Sequence, residues 1–365
     1  MGELNHVDPF SSRTAYLERA LELACSFQGS CAPNPAVGCV LVWQGKIIAE
    51  GAHQGCGTPH AEAVVLKKVA QPPKGAILYS TLEPCNHVGR TPACTDAILQ
   101  AGVTQVYFGH ADKNTRVKGG GAEYLKSRGT ECHHLPTPEI SAFYESYDSW
   151  LMSGVPRVTA KIAIGWDFSY AGSGQQRMHL SSTASQKWTH AQRAKTDSIL
   201  TTAKTVIADD PQLNARLSKS KILKKRLFIW DRHELVPKTS RLYRETGPVT
   251  RFVQSNGRLA LQEPQAAHHE TVVPLVSKTT QEQVYEMLQT IGAQNHDVWL
   301  EAGATFLQAW IQLGVIHKLH VLLCPRWAEP KTASKVTHFK LWLYLMYPCR
   351  CTLLVLNNIQ EGRMG

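Results

Sequence analysis

One histidine, one glutamate and two cysteines have the types and the spacing of a catalytic metal site. His60 and Glu62 are separated by one residue, and Cys85 and Cys94 follow after an apolar segment. A histidine nitrogen and two thiolates give zinc three protein ligands and leave the fourth position to water, which is the open arrangement of catalytic sites. A carboxylate such as that of Glu62 can take a proton from this water and pass it on. The sequence therefore predicts a zinc-dependent hydrolytic centre.

The residues around these side chains predict the elements that position them. The proline just before His60 is typical of a helix start. On a regular helix His60 and Glu62 would point about 200° apart, so both can serve one metal only if it lies beyond the helix end. Residues 76–82 predict an apolar strand, and a second helix is expected to start near Cys85 or Cys94.

Two other interpretations of this pattern stay open. A structural zinc site normally has four protein ligands and shorter spacings, and His87 would then be the fourth ligand. Alternatively, Cys85 and Cys94 are unrelated buried thiols, but this leaves the His-x-Glu pair one strand upstream unexplained. The catalytic interpretation accounts for all of these residues together.

The motifs of the first half are similar to those of a known enzyme family. A His-x-Glu pair followed by Pro-Cys and a second cysteine is the signature of zinc deaminases that act on nucleobases. Pro33-Asn34-Pro35-x-Val37-Gly38, Pro59-His60-Ala61-Glu62 and the run from Thr81 to Cys94 closely resemble the bifunctional deaminase–reductase family of riboflavin biosynthesis. Polynucleotide deaminases usually hold their two cysteines as C-x-x-C, whereas eight residues separate the pair here.

The resemblance implies a fold and a substrate site for residues 1–153. Alternating strands and helices predict an α/β domain around one sheet, and the resemblance implies the cytidine-deaminase-like form of it, with three layers (α/β/α). It also implies zinc as the cofactor and a small phosphorylated pyrimidine as the substrate. The implied substrate-binding residues are Asn34, His87, Asp112 and Asn114. The family usually has Asp-Pro-Asn-Pro where this chain has Asp112-Lys-Asn114-Thr.

From Arg157 the sequence starts again with a strand (158–164), and its motifs resemble the reductase half of the same family. The resemblance implies a dihydrofolate-reductase-like α/β domain over residues 154–365 that uses NADPH. The implied substrate contacts are Lys161, Arg193, Leu213, Arg216 and Glu301. The implied cofactor contacts are Ala163, Thr205, Asp209, Gly303, Ala304 and Thr305. The last three form a turn of small residues before a helix, which offers backbone amides to a phosphate.

Two segments of the second half depart from the family pattern. Residues 165–180 read GWDFSYAGSGQQRMHL, unlike the family's active-site segment, although the distance from Lys161 to Arg193 is the family's own. Residues 326–365 are also unlike the family's last strands, and a disordered tail is expected after Pro325. Preserved length with lost identity is typical of two compensating frameshifts. A deaminase with a degenerate, weakly active reductase domain is therefore an alternative.

Composition and charge limit the function classes. A chain of 365 residues is long enough for two domains with separate cores. A net charge of +10 favours anionic partners. Basic residues are scattered and few aromatics accompany the zinc motif, so a nucleic-acid-editing protein is only an alternative. No segment predicts a signal peptide or a membrane span, so a cytoplasmic protein with reduced cysteines is expected. A homo-oligomer is compatible with the sequence.

Overall fold

Two large sheets organise the part of the chain that the structure describes. The computed structural model describes residues 9–69, 71–87, 92–114, 120–165, 182–255, 270–324 and 350–355. The chain divides into two units, Met1–Gly154 and Val155–Gly365, and each unit has its own large sheet and its own buried apolar core.

The first unit contains a mixed five-stranded sheet and the helices that pack on it. Its elements are, in chain order, α1 (Pro9–Cys25), β1 (Gly38–Trp43), β2 (Lys46–Ala52), α2 (Ala61–Lys68), β3 (Ile77–Ser80), α3 (Cys94–Gln100), β4 (Gln105–Phe108), α4 (Gly121–Ser127), β5 (Glu131–His134) and α5 (Pro138–Ser153). The strand order is β2-β1-β3-β4-β5. Strand β1 pairs antiparallel with β2 and β3, whereas β3, β4 and β5 run parallel.

Two helix starts and one strand end determine where the zinc motif lies. Helix α2 begins at Ala61, so His60 takes the N-cap position with an extended backbone. Helix α3 begins at Cys94, which is one of the two starts that the sequence predicted. Cys85 follows β3 after a short connection. His60 and Cys94 therefore lie at helix starts, and a metal bound by His60 lies beyond the end of α2, as the separation of His60 and Glu62 required.

Glycine permits a close approach of α4 to the segment that precedes Cys85. A Cβ atom placed on Gly121 would lie 1.8 Å from the carbonyl oxygen of Pro84, which is far inside van der Waals contact. Only a residue without a side chain fits there. The start of α4 thus supports the backbone from which the Cys85 thiol projects.

The second unit is built on an eight-stranded sheet in which every described pairing is parallel. Its elements are β6 (Arg157–Gly165), α6 (Thr183–Lys195), β7 (Ser198–Thr202), α7 (Ala203–Asp209), β8 (Ala215–Arg216), β9 (Ile222–Leu223), β10 (Arg226–Trp230), α8 (Leu242–Glu245), β11 (Val249–Gln254), β12 (Glu270–Leu275), α9 (Thr280–Gly292), β13 (Asp297–Glu301), α10 (Ala304–Gln312), β14 (Lys318–Cys324) and β15 (Arg350–Val355). The strand order is β12-β11-β10-β7-β13-β6-β14-β15, and β8 pairs separately with β9. Strand β7 is buried along its whole length, as parallel strands covered on both faces usually are.

The expectation of a disordered tail after Pro325 is wrong for six residues. Strand β15 pairs in parallel with β14, with Lys318 opposite Arg350. Its sequence, RCTLLV, is a short run of mostly apolar and β-branched residues, which favours an added strand. The remaining tail residues, 325–349 and 356–365, lie outside the described residues, as does the unusual segment 165–180 apart from Gly165. No helix among the described residues is long and apolar enough to cross a membrane.

The contact of Gly121 with Pro84 can be tested by substitution. Gly121→Ala should destabilise the chain by about 1–3 kcal/mol, because the added methyl overpacks the contact. It should also weaken zinc binding, because relief of the clash moves the backbone of Pro84 and Cys85, which we call the Cys85 segment. Gly129→Ala is the control, because its Cβ meets open space and only its positive φ of 89° opposes the change.

Thermal unfolding and zinc titration measure both variants. The control should lose about 1 kcal/mol of stability and keep its zinc affinity. Unchanged zinc affinity in Gly121→Ala would show that α4 does not support the Cys85 segment.

Candidate functional site

A cavity of about 350 Å³ in the first unit collects the residues of the predicted deaminase site. The four residues of the zinc motif border it, and so do the four residues that the resemblance implied for the substrate. The eight are Asn34, His60, Glu62, Cys85, His87, Cys94, Asp112 and Asn114. They come from distant parts of the sequence, and the fold places all eight around one cavity.

The three ligand atoms are arranged to hold one zinc ion. The His60 Nδ1 atom lies 3.2 Å from Cys94 Sγ and 3.4 Å from Cys85 Sγ. A tetrahedral zinc with ordinary bond lengths would separate a nitrogen and a sulfur ligand by about 3.5 Å. Among the described residues, no fourth His, Cys, Asp or Glu has a ligand atom within 4.8 Å of all three. The donor set therefore fits zinc with three protein ligands, and His87 does not join it.

The two thiols influence each other's pKa values in opposite directions. The hydrogen bond with Cys94 is the main cause that lowers the pKa of Cys85 to about 4, and His60 adds to it. The same hydrogen bond and burial raise the pKa of Cys94. The Cys94 amide also donates to Cys85 Sγ at 3.4 Å. Cysteine binds zinc as a thiolate, so zinc binding releases the proton of any ligand cysteine that is still a thiol.

Glu62 is a buried carboxylic acid directly beside the ligand set. Only 3% of the residue is exposed, and burial raises the pKa of its carboxyl group. Its Oε1 atom accepts a hydrogen bond from Ser80 Oγ at 3.1 Å, and its Oε2 atom accepts one from Cys94 Sγ at 3.3 Å. A carboxylate in this place can exchange protons with groups next to the ligands.

The four implied substrate residues line the rest of the cavity. The Asn34 Nδ2 atom lies 3.3 Å from His53 Nε2. Asp112 Oδ1 accepts from the Asn114 amide at 2.9 Å, and Asn114 Nδ2 donates to Tyr147 Oη at 3.5 Å. Burial raises the pKa of Asp112. Asn34, Asp112 and Asn114 are therefore held by the protein before any ligand arrives.

Sequence reasoning missed residues that hold these side chains in place. His53 is 2% exposed, its Nδ1 lies 3.2 Å from the Pro59 carbonyl oxygen, and its ring packs edge-on against that of His60 at 5.3 Å. The Glu83 carboxylate accepts from the amides of Asp112 and Ala122 at 3.3 and 2.9 Å. The one signal in the sequence was the place of His53, a histidine directly after β2 and before a glycine-rich turn.

A buried ion pair lies at the centre of the residues implied for the reductase site. The Arg193 guanidinium donates to both carboxylate oxygens of Glu301, at 2.6 and 2.9 Å, and to the Asn214 carbonyl oxygen at 3.0 Å. Burial alone would raise the pKa of Glu301, but the charges of Arg193 and Lys161 hold it at about 2. Lys161 on β6 is paired in register with Glu301 on β13. The structure thus brings these three charged residues to one place.

The other implied residues of the second unit lie on neighbouring elements. Arg216 Nη1 donates to the side-chain oxygens of Asn214 and Gln212, both at 2.6 Å, and Leu213 between them is buried with a φ of 47°. The implied cofactor residues are spread over three elements, with Ala163 on β6, Thr205 and the exposed Asp209 on α7, and Gly303, Ala304 and Thr305 at the start of α10. A Cβ on Gly303 would meet no atom within 4 Å, so this turn has the open space that a cofactor phosphate needs.

Comparison with known proteins explains why both sites occur in one chain. The zinc-binding region of cytidine and deoxycytidylate deaminases matches residues 11–110, and the RibD C-terminal domain matches residues 156–327. The riboflavin biosynthesis protein RibD of Escherichia coli is 33% identical in an alignment of 334 positions that covers 85% of this chain and 87% of that protein. The chain belongs to the RibD family. RibD of Haemophilus influenzae is 32% identical, and 87% of each chain is covered.

Solved RibD structures agree with this assignment. Acinetobacter baumannii RibD superposes with a TM-score of 0.75 at 30% identity, over 88% of this chain and 89% of that one. A diaminohydroxyphosphoribosylaminopyrimidine deaminase/5-amino-6-(5-phosphoribosylamino)uracil reductase from Thermotoga maritima gives a TM-score of 0.70 at 29% identity, covering 83% and 84%.

These comparisons confirm the resemblance read from the motifs and the predicted fold class. They also confirm zinc and NADPH as the cofactors of the family. The RibD match runs across the unusual segment 165–180, so the alternative of a degenerate reductase domain is not favoured. A nucleic-acid-editing deaminase is not favoured either. The roles of the individual site residues stay predictions.

The three-ligand assignment predicts how the metal responds to substitution. The purified chain should carry about one zinc, and Cys94→Ser should lose most of it, because only two ligands then remain. His87→Ala should keep the metal, because His87 lies outside the ligand set. Cys132→Ser, which changes a buried thiol away from the site, is the control and should also keep it.

Elemental analysis after dialysis measures the zinc content of each variant. Full zinc in Cys94→Ser would exclude Cys94 as a ligand. Loss of zinc from His87→Ala would instead support a four-ligand, structural site.

Proposed function

We propose that this chain catalyses two successive reactions of riboflavin biosynthesis. The first unit removes an exocyclic amine hydrolytically from a diaminopyrimidine ribosyl phosphate. The second unit reduces the ribosyl group of the product to ribityl with NADPH. The observation that carries the proposal is the cavity of the first unit, in which a zinc ligand set and a buried carboxylic acid meet, in a chain whose second half matches the RibD C-terminal domain.

In the first reaction Glu62 moves the protons. His60, Cys85 and Cys94 would hold zinc, which would supply a Lewis acid that lowers the pKa of water to the neutral range. Glu62 accepts one proton from the attacking water while the water oxygen bonds to the ring carbon, and it passes this proton to the ring nitrogen. It then takes the second proton from the newly added hydroxyl group and passes it to the amine, so that the carbon–nitrogen bond breaks, the carbonyl group forms and ammonia departs. Burial, which raises the pKa of Glu62, suits a group that must both take and give protons.

The polar residues of the cavity wall hold the pyrimidine against this pair of groups. Asn34, His87, Asp112 and Asn114 would contact the ring and its substituents. His53 supports Asn34 through its contact at 3.3 Å. Glu83 and Tyr147 support the segment of Asp112. A net charge of +10 favours the approach of a phosphorylated substrate.

In the second reaction the buried ion pair positions the sugar phosphate. Arg193, Arg216 and Lys161 supply positive charge, Glu301 keeps Arg193 in place, and Leu213 adds an apolar contact. NADPH would supply the hydride to the sugar carbonyl carbon, with a proton added to its oxygen. The residues that would hold NADPH are Ala163, Thr205, Asp209, Gly303, Ala304 and Thr305. A cytoplasmic location and a homo-oligomer stay predictions from the sequence.

Glu62→Gln separates metal binding from proton transfer. Glutamine has nearly the same shape, so the fold and about one zinc should be kept. It cannot accept the proton, so kcat for deamination should fall by at least about 10²–10⁴. The measurement is ammonia release from the diaminopyrimidine ribosyl phosphate, with zinc content determined on the same sample.

Wild-type chain should release ammonia from this substrate far faster than from cytidine or a single-stranded oligonucleotide. Deamination by Glu62→Gln within a few-fold of wild type would exclude Glu62 as the proton carrier.

Glu301→Gln tests the second reaction independently. It leaves the Arg193 guanidinium buried without its counter-charge, which costs about 3–5 kcal/mol in comparable cases. NADPH oxidation with the deaminated pyrimidine supplied should therefore be lost, while ammonia release should be unchanged. Glu282→Gln is the control, because Glu282 is exposed and only caps α9.

Absorbance of the nicotinamide follows the reaction. Wild-type rates of NADPH oxidation by Glu301→Gln would remove the ion pair from the proposed reductase site.

A further inference from the structure

Strand β3 ends in a buried hydroxyl group that the zinc motif does not include. Ser80 is the last residue of this strand and is completely buried. Its backbone is held on both sides, by Cys39 of β1 and Phe108 of β4 in the sheet register, and its carbonyl oxygen accepts from the Gly109 amide at 3.1 Å. The hydroxyl group therefore projects from one of the most constrained positions of the first unit.

This hydroxyl group connects the sheet to the carboxylate that moves protons. Ser80 Oγ donates to Glu62 Oε1 at 3.1 Å, and Glu62 lies in the first turn of α2. Ser80 is completely buried and Glu62 is 3% exposed, so little solvent reaches this hydrogen bond. We propose that Ser80 is a positioning residue for deamination, whose hydroxyl group holds one oxygen of Glu62 and thereby directs the other toward the zinc ligands.

The chemistry of metal binding makes Ser80 more important in the loaded enzyme. Without metal, Glu62 Oε2 accepts from the Cys94 thiol at 3.3 Å, so two side chains orient the carboxylate. A cysteine binds zinc as a thiolate and then has no proton to donate. Of these two side-chain donors, only the Ser80 hydroxyl group remains once the metal is bound.

A structural role for Ser80 makes different predictions from a positioning role. A buried hydroxyl group needs an acceptor wherever it is, and its loss alone would change stability without changing the chemical step. A positioning residue acts on the transition state, so its loss lowers kcat and leaves KM and zinc content nearly unchanged. This proposal rests on the deaminase function proposed above, and the experiment distinguishes failure of the proposal from failure of that function.

The test compares Ser80→Thr with Ser80→Val, which have the same shape and differ only in the hydroxyl group. With the zinc-loaded full chain, Ser80→Val should lower kcat for ammonia release about tenfold, with KM changed by less than about twofold. Ser80→Thr should restore most of the rate. Both should contain the zinc of the wild type. Thr130→Val removes another buried hydroxyl group of the same unit and should leave kcat unchanged.

The same substitution in a Glu62→Gln background shows whether the effect passes through Glu62. There Ser80→Val should change the residual single-turnover rate by less than about twofold, because the group that it positions is gone. If the added methyl groups impair folding, kcat is measured for Ser80→Ala instead. This substitution removes the hydroxyl group without adding volume, and kcat should fall as for Ser80→Val.

Equal kcat values for Ser80→Val and Ser80→Thr, or for Ser80→Ala and wild type, would overturn the proposal. An equally large loss in both Glu62 backgrounds would overturn it too. A wild-type chain that is loaded with zinc and releases no ammonia would contradict the proposed function itself.

Discussion

The convergence of one imidazole and two thiols at two helix starts is the constraint on which the first unit depends. Polar groups inside a protein destabilise it unless each finds a partner, and here His60, Cys85 and Cys94 are partners of one another. Helices α2 and α3 and the end of β3 have to meet at one point for this to happen. The close contact at Gly121 is a consequence of this requirement, because α4 can support the Cys85 segment only where no side chain intervenes.

In the second unit, an ion pair provides the partners that buried polar groups need. Glu301 is a buried carboxylate at the end of a central parallel strand, and two cations keep it charged, Arg193 by direct contact and Lys161 from the adjacent strand. In the first unit burial raises the pKa of the carboxyl group of Glu62, which lies beside ligands and not beside arginine. One carboxylate is thus prepared to exchange protons and the other to hold a charge, and their surroundings account for the difference.

Local spacing predicted the parts of the molecule that depend on local geometry. The His-x-Glu pair, the proline before it and the Cys94 helix start all lie within one or two turns of the atoms that they position, so the sequence revealed them. The hydrogen bonds of His53 with Asn34, of Ser80 with Glu62 and of Glu83 with Ala122 join residues 18 to 39 positions apart, so local spacing does not reveal them. Strand β15 was also missed, because the family motif is absent there and the segment was expected to be disordered. Its apolar sequence nevertheless pairs with β14.

Hydrogen bonds connect several of the residues that the family resemblance implies for the reductase site. Glu301, Arg193, Asn214 and Arg216 form a continuous chain of hydrogen bonds across β13, α6 and β8. Such a network satisfies its buried charges, and removing a partner is what makes a buried charge unfavourable. The residues implied for the reductase substrate are therefore held together by hydrogen bonds among β13, α6, β8 and the segment that leads into β8.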